Sequence, residues 1–193
     1  MQKWRSIFTA VVLAGAVGYT GFAVGGALHK STPTPTSSQG SSSPISSASA
    51  SSGLGLQVGD MAPNFSLKTT TGTTVSLSSL RGHPVWLNFW ATWCPFCNQE
   101  MPIIKKIQTA DHAKIDIYGV DVQEPASKVI PFVKKKGLNY PILLDSQGAV
   151  AADYGATGLP LSIFINSSGK IAAIRVGAFL TKSQAMADVN KAL

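Results

Sequence analysis

Val85-Trp86-Leu87-Asn88-Phe89-Trp90-Ala91-Thr92-Trp93-Cys94-Pro95-Phe96-Cys97 is the stretch on which the reading of this chain turns. Val85–Trp90 is an apolar run of the kind that marks a central strand buried on both faces. The only two cysteines of the chain follow it directly, three positions apart. Pro95 suits the first position of a helix, where its missing N–H costs nothing and its fixed φ fits. A helix N-terminus presents unpaired N–H groups and about half a positive charge, which favours a thiolate over a thiol. A cysteine pKa near 8.5 falls to roughly 3.5–7.5 in such a setting. Cys94 is placed at that N-terminus and Cys97 one turn in, on the same face. The pattern predicts a thiol–disulfide oxidoreductase.

Two other uses of a cysteine pair fit less well. A structural disulfide across so short a loop removes little entropy from the unfolded chain. A zinc site needs three or four ligands, and only His29, His83 and His112 are available to add.

The 193 residues suit one domain with appendages. The formal charge is +7, but Lys3, Arg5 and Lys30 supply three of the positive charges before the domain begins. The remaining 13 basic and 9 acidic residues are too balanced and scattered to suggest nucleic acid. Lys134-Lys135-Lys136 followed by Gly137 reads as a helix C-terminus, with cations on the negative end of the dipole.

After the basic start, residues 7–28 run for 22 positions without a charge, long enough to cross a bilayer as one helix. Basic residues on the short N-terminal side keep that end cytoplasmic and send the rest across. The rival reading is a cleaved signal peptide, for which Gly25 and Ala27 are suitably small. The length of the apolar stretch favours an uncleaved anchor over residues 1–30. Gly21 and Gly25 match a small-xxx-small dimer motif, which recurs by chance. Residues 31–56 are dominated by Ser, Thr, Pro, Ala and Gly, a composition that cannot bury a core and reads as a tether. Its 22 most biased residues, 31–52, span about 25 Å as a coil.

The redox domain is expected over residues 57–193. A short hairpin over 59–67 and 74–77 opens it. Strand 85–90 leads to a helix from Pro95 to about Ala110, with a kink expected at Pro102. Strand 115–122, helix 126–136, strand 141–144, a short helix near 149–154 and a hairpin of 161–166 with 170–176 follow. A helix over 181–193, capped by Thr181 or Ser183, closes the chain. Alternating elements of this kind imply a mixed α/β sheet with helices on both faces and a site at the carboxyl ends of the strands.

The chain resembles the membrane-anchored TlpA/ResA-like thioredoxin family, whose opening segment is similar to that of peroxiredoxins. The resemblance covers residues 53–193. It rests on Gly59-Asp60-Met61-Ala62-Pro63-Asn64-Phe65, on Leu87 through Cys97, on Glu100-Met101-Pro102 and on Gly158-Leu159-Pro160. It implies an α/β, three-layer thioredoxin-like fold with an N-terminal β-hairpin and a central βα insertion at 115–136. The chain departs from the family at three places. The dipeptide between the cysteines is Pro-Phe, Asn88 stands where thioredoxins carry a buried Asp, and Leu161-Ser162 replaces the more usual Thr pair after the proline.

The resemblance also implies roles. Cys94 is the nucleophile and Cys97 resolves the mixed disulfide. Glu124 is a candidate base for Cys97, or else a carboxylate complementing the helix that starts at Ala126. Asp121 reads as a polar residue at a strand end. Pro160 is implied to be cis, exposing the backbone of Leu159 to a substrate peptide. Trp93 and Phe96 form an apolar rim for protein surfaces, while Trp86 and Trp90 belong to the core. No cofactor is expected beyond the redox-active Cys94–Cys97 disulfide. Expected partners are protein thiols and disulfides, apocytochrome c among them, together with a membrane electron donor. An oxidant or general disulfide-exchange role is the alternative direction. A copper chaperone on this fold would use a downstream histidine, and none follows His112. A peroxidase would carry Thr-x-x-Cys, and Ala91-Thr92-Trp93-Cys94 lacks that spacing.

Overall fold

The computed structural model describes residues 55–193. The expected anchor and nearly all of the tether therefore lie outside the described residues. Among the described residues, no helix is long and apolar enough to cross a membrane.

The elements in chain order are β1 (Ser66–Lys68), β2 (Thr74–Ser76), a 3-10 turn (Leu77–Leu80), β3 (Val85–Trp90), α1 (Pro95–Asp111), β4 (Asp116–Val122), α2 (Ala126–Lys136), β5 (Ile142–Asp145), α3 (Ala149–Asp153), β6 (Leu161–Ile165), β7 (Ile171–Val176) and α4 (Lys182–Ala192). A five-stranded sheet has the order β5-β4-β3-β6-β7. The first three strands are parallel, and β6 and β7 are antiparallel to their neighbours. The expected unit at 115–136 is thus integral to the sheet, since β4 pairs with both β3 and β5.

β3 is buried at every position, as a central strand covered on both faces must be. Its alternation sorts the core into two layers. Trp86 and Trp90 pack with α1, α2 and α4, through Ile104, Val129 and Val189 among others. Val85, Leu87 and Phe89 pack on the other face with the N-terminal segment and α3. Trp86 lies 4.9 Å from Phe164 and 5.3 Å from Phe179 between ring centroids. Each such side chain removed from water contributes on the order of 2 kcal/mol. The N-terminal segment spans the second face from edge to edge, bridging Met61 to Lys170 and Thr69 to Leu143.

The helix ends are set by local chemistry. α1 begins with Pro95 after an N-cap Cys94 and continues as one helix through Pro102. α2 ends at Gly137 with φ of 57°, and its last turn holds Lys134, Lys135 and Lys136. Thr181 caps α4 by accepting from the Gln184 N–H. Of the two caps considered for this helix, the threonine is the one used.

Candidate active site

Cys94 and Cys97 form a disulfide at the N-terminus of α1. The Cys97 N–H points at Cys94 Sγ, 3.1 Å away. No acidic residue lies in the first turn to offset the positive end of the helix at that sulfur. Asn98 Nδ2 donates to the Cys94 carbonyl at 2.8 Å and ties the turn to the helix. Both sulfurs are recessed, at 2% and 1% residue exposure, whereas Trp93 and Phe96 are 66% and 59% exposed. Two aromatic side chains thus stand out of a surface in which the disulfide sits low.

One turn beyond Cys97, Glu100 is wholly buried. It lies on the apolar stripe of α1 made by Cys97, Met101, Ile104 and Ile107. Its Oε1 accepts from Asn88 Nδ2 at 2.7 Å, and its Oε2 accepts from the Phe179 N–H at 3.0 Å. Asn88 also donates to Ser162 Oγ at 3.2 Å, and that hydroxyl accepts from Trp86 Nε1 at 2.9 Å. Burial pushes the Glu100 carboxyl up to about 7, against the opposing pull of the Phe179 N–H and the Asn88 amide. Asn88, which cannot ionise, thus holds a carboxyl that can.

Glu124 sits after the end of β4 and is also buried. Gln123 takes a left-handed φ of 59°, which turns the chain sharply between Val122 and Glu124. Gly148 makes room for that turn, since a Cβ there would lie 2.6 Å from Gln123 Cγ. Glu124 then receives the Thr92 N–H at 2.5 Å, the Thr92 hydroxyl at 2.7 Å and the Lys128 ammonium at 2.5 Å. Burial opposes its charge, but Lys128 and the two Thr92 donors hold its carboxyl below the ordinary range. Thr92 is two residues before Cys94, so Glu124 grips the turn that delivers the nucleophile. Asp121, expected as a strand-end polar residue, is at the strand end but entirely out of water.

The Leu159–Pro160 bond is cis. Pro160 precedes β6, whose Leu161 pairs with Phe89 of β3, so this loop lies beside the strand end that feeds the cysteines. A cleft of about 310 Å³ joins Trp93, Gln123, Thr157 and Leu159. A roomier one, about 510 Å³, runs along the flank of α1 beside Pro102 and Lys105. Thiol chemistry, not cleft size, locates the site.

The sequence-predicted residues Cys94, Cys97, Trp93, Phe96, Glu124, Leu159 and Pro160 all come from elements that meet at this edge of the sheet. Sequence reasoning gave Glu100 no role beyond its place in the Glu100-Met101-Pro102 motif and read Asp121 only as a polar residue at a strand end. Glu100 had a legible signal, a carboxylate on the i, i+3, i+4, i+7 stripe that begins at Cys97.

The Redoxin family model matches residues 57–193. The thioredoxin-like protein YneN of Bacillus subtilis is 38% identical over 132 residues, covering 67% of this chain and 77% of its own length. The thiol-disulfide oxidoreductase ResA of the same species is 37% identical over 120 residues, covering 62% and 67%. The crystal structure of a thiol:disulfide interchange protein of the thioredoxin family from Chlorobium tepidum superposes with a TM-score of 0.62 at 31% identity, covering 69% of this chain and 96% of that one. With a cysteine pair at a helix N-terminus on this sheet, the chain belongs to the Redoxin family and is a thiol–disulfide oxidoreductase of the thioredoxin-like kind.

Proposed function

We propose that the protein is an extracytoplasmic reductant of protein disulfides, with the Cys-x-x-Cys segment of an apocytochrome c as its preferred client. The observation that supports the exchange chemistry is the buried carboxyl of Glu100 one turn beyond Cys97. It serves the proton transfer in either direction, while the potential of the cysteine pair sets which way electrons flow. The Cys94 thiolate attacks a client disulfide and forms a mixed disulfide, releasing one client sulfur as a thiolate that takes up a proton. Cys97 then loses its proton, attacks Cys94 Sγ and releases the second client sulfur. The products are a reduced client and the Cys94–Cys97 disulfide, two electrons having passed to the client. The resolving step needs a base near Cys97, and a group with a pKa near the working pH serves best. Glu100 fits that need. The hold of Thr92 and Lys128 on Glu124 supports a positioning role for that carboxylate in place of the proton-accepting one.

Export and anchoring are supported by the uncharged stretch over residues 7–28 behind a basic start. A reductant in oxidising surroundings must itself be recharged, so a membrane electron donor completes the cycle. Trp93, Phe96 and Leu159 supply the docking surface for the client peptide, with Pro160 shaping the loop.

The midpoint potential of the Cys94–Cys97 pair at pH 7 tests the direction. For this two-electron couple about 30 mV is a tenfold change in the exchange equilibrium. A value at or below roughly −250 mV supports the reductant. A value between about −120 and −180 mV overturns it in favour of an oxidant or isomerase.

A further inference from the structure

Asp121 is the penultimate residue of β4, in register with Trp90 of β3 on one side and Leu144 of β5 on the other. Neither of its carboxylate oxygens meets a hydrogen-bond donor among the described residues. The carboxylate of Glu124, three residues on and itself buried, is the nearby negative charge that raises the Asp121 carboxyl after burial. Two ionised carboxylates in contact repel, and the contact becomes a hydrogen bond only when one of them carries a proton. Glu124 is already committed as an acceptor to both Thr92 donors and to Lys128. The proton therefore belongs on Asp121, with its O–H directed at Glu124.

We propose that Asp121 is a positioning residue for thiol–disulfide exchange, its protonated carboxyl donating to Glu124 so that the pair holds Thr92 and the turn that brings Cys94 to the N-cap of α1. The proposal uses only the thiol chemistry of the site and is independent of direction and client.

The charged groups facing Asp121 come from three elements. Glu124 lies in the turn after β4, Lys128 on α2 and Asp145 at the end of β5. Asp145 is itself engaged, accepting from the Ala151 N–H at 2.7 Å. β3 presents no charged side chain. Burial first, and then the Glu124 charge, push the Asp121 carboxyl up to about 8, with Lys128 opposing. Below that pH the shared proton keeps the pair closed. Above it, two negative charges face each other in the core, the grip on Thr92 loosens, and the geometry that stabilises the Cys94 thiolate is lost.

The test is the rate of Cys94 alkylation by iodoacetamide in the reduced protein, from pH 5 to 10, with circular dichroism and melting curves as checks on folding. The native chain should show the rise from thiolate formation and then a decline above about pH 8. Asp121→Asn keeps a donor toward Glu124 at every pH, so its neutral-pH rate should match the native one and the decline should vanish. Asp121→Leu removes the donor, so the pH at which its alkylation rate rises should move up, and at a pH below the native Cys94 pKa its rate should fall roughly tenfold for each unit of that rise. If both variants follow the native profile, the proposal is overturned. Equal impairment of the two at pH 7 also overturns it, because shape and not donation would then matter. Should the leucine variant fail to fold, persistence of the decline in Asp121→Asn is sufficient to reject the proposal.

Discussion

Asn88 donates to Glu100 across 2.7 Å, and neither side chain reaches water. One member of this pair cannot ionise, so whatever proton the pair handles belongs to Glu100. Replacement of Glu100 by Gln should slow the release of client from the mixed disulfide by roughly a hundredfold, the usual size of a lost general base. A single-turnover experiment on a preformed Cys94 mixed disulfide, followed from pH 5 to 9, reads that step directly. The native rate should rise through an inflection near 7, and the variant should lack it. Glu124→Gln should keep the inflection. If Glu124→Gln abolishes it and Glu100→Gln does not, the two roles are exchanged.

Glu100 also makes the fold sensitive to pH. Burial raises its carboxyl from the ordinary 4.5 to about 7 in the folded state, so between those limits the native state holds a proton that the unfolded chain has released. The native state binds more protons there, and stability falls as pH rises through the window. The protonated form is fully in place below 4.5, and the loss is complete above 7. An upper bound on the effect is on the order of 3 kcal/mol. Urea unfolding at pH 4.5, 6 and 8 should show this decline in the native chain. Glu100→Gln should flatten it, while costing about 1 kcal/mol at low pH because its amide meets the Phe179 N–H with a second donor. An unchanged slope in the variant would assign the decline to other groups.

Gly119 lies beneath the same site, opposite Asn88 on the neighbouring strand. A Cβ there would come within 2.6 Å of Ile142 Cδ1, 2.9 Å of Trp90 Nε1 and 3.1 Å of Tyr140 Cε2. All three belong to buried side chains that have nowhere to move. Gly119→Ala should therefore destabilise the domain by about 1–3 kcal/mol, as overpacked cores do. A denaturation midpoint equal to the native one would mean that the indole and the isoleucine repack without cost.

How much of this was legible beforehand follows from the range of the interactions. The apolar run of β3, the Pro95 start of α1 and the Gly137 stop of α2 are local signals, and each element is where its residues point. The cysteine site was legible for the same reason, being one strand, one turn and one helix cap. The partners of Asn88 were not. Glu100 is 12 positions away and Ser162 is 74 away, and only the packing of α1 and β6 on β3 brings them together. Asp121 is at the strand end as expected, but its complete burial was not legible, because alternation along a strand gives a face but not its cover. Trp90 and Leu144 flank that position on the neighbouring strands, and both are distant from it in sequence. Glu124 was recognised as belonging to the site, whereas its hold on Thr92 depends on the left-handed turn at Gln123, for which the sequence carries no glycine or asparagine signal.

The aromatic rim gives the most direct test of how the recessed disulfide meets its substrates. Trp93 is 66% exposed and stands above sulfurs that are almost fully covered. A small disulfide such as oxidised glutathione can reach Cys94 without using the indole, whereas a folded or extended protein client must lie across it. Exposed aromatic anchors of this kind contribute roughly 1 kcal/mol or more to protein association. Trp93→Ala should therefore lower the second-order rate with a protein disulfide by about fivefold to tenfold. The rate with the small disulfide should stay within about twofold, and stability within about 0.5 kcal/mol, because the side chain packs little. Phe96→Ala adds to this effect but also changes the dipeptide between the cysteines, so its rates must be compared at matched driving force, from the measured potential of each variant. Stopped-flow measurement of both reactions on the same reduced protein separates docking from chemistry. A parallel fall in the two rates would place Trp93 in the electrostatics of Cys94 and not in the recognition of clients.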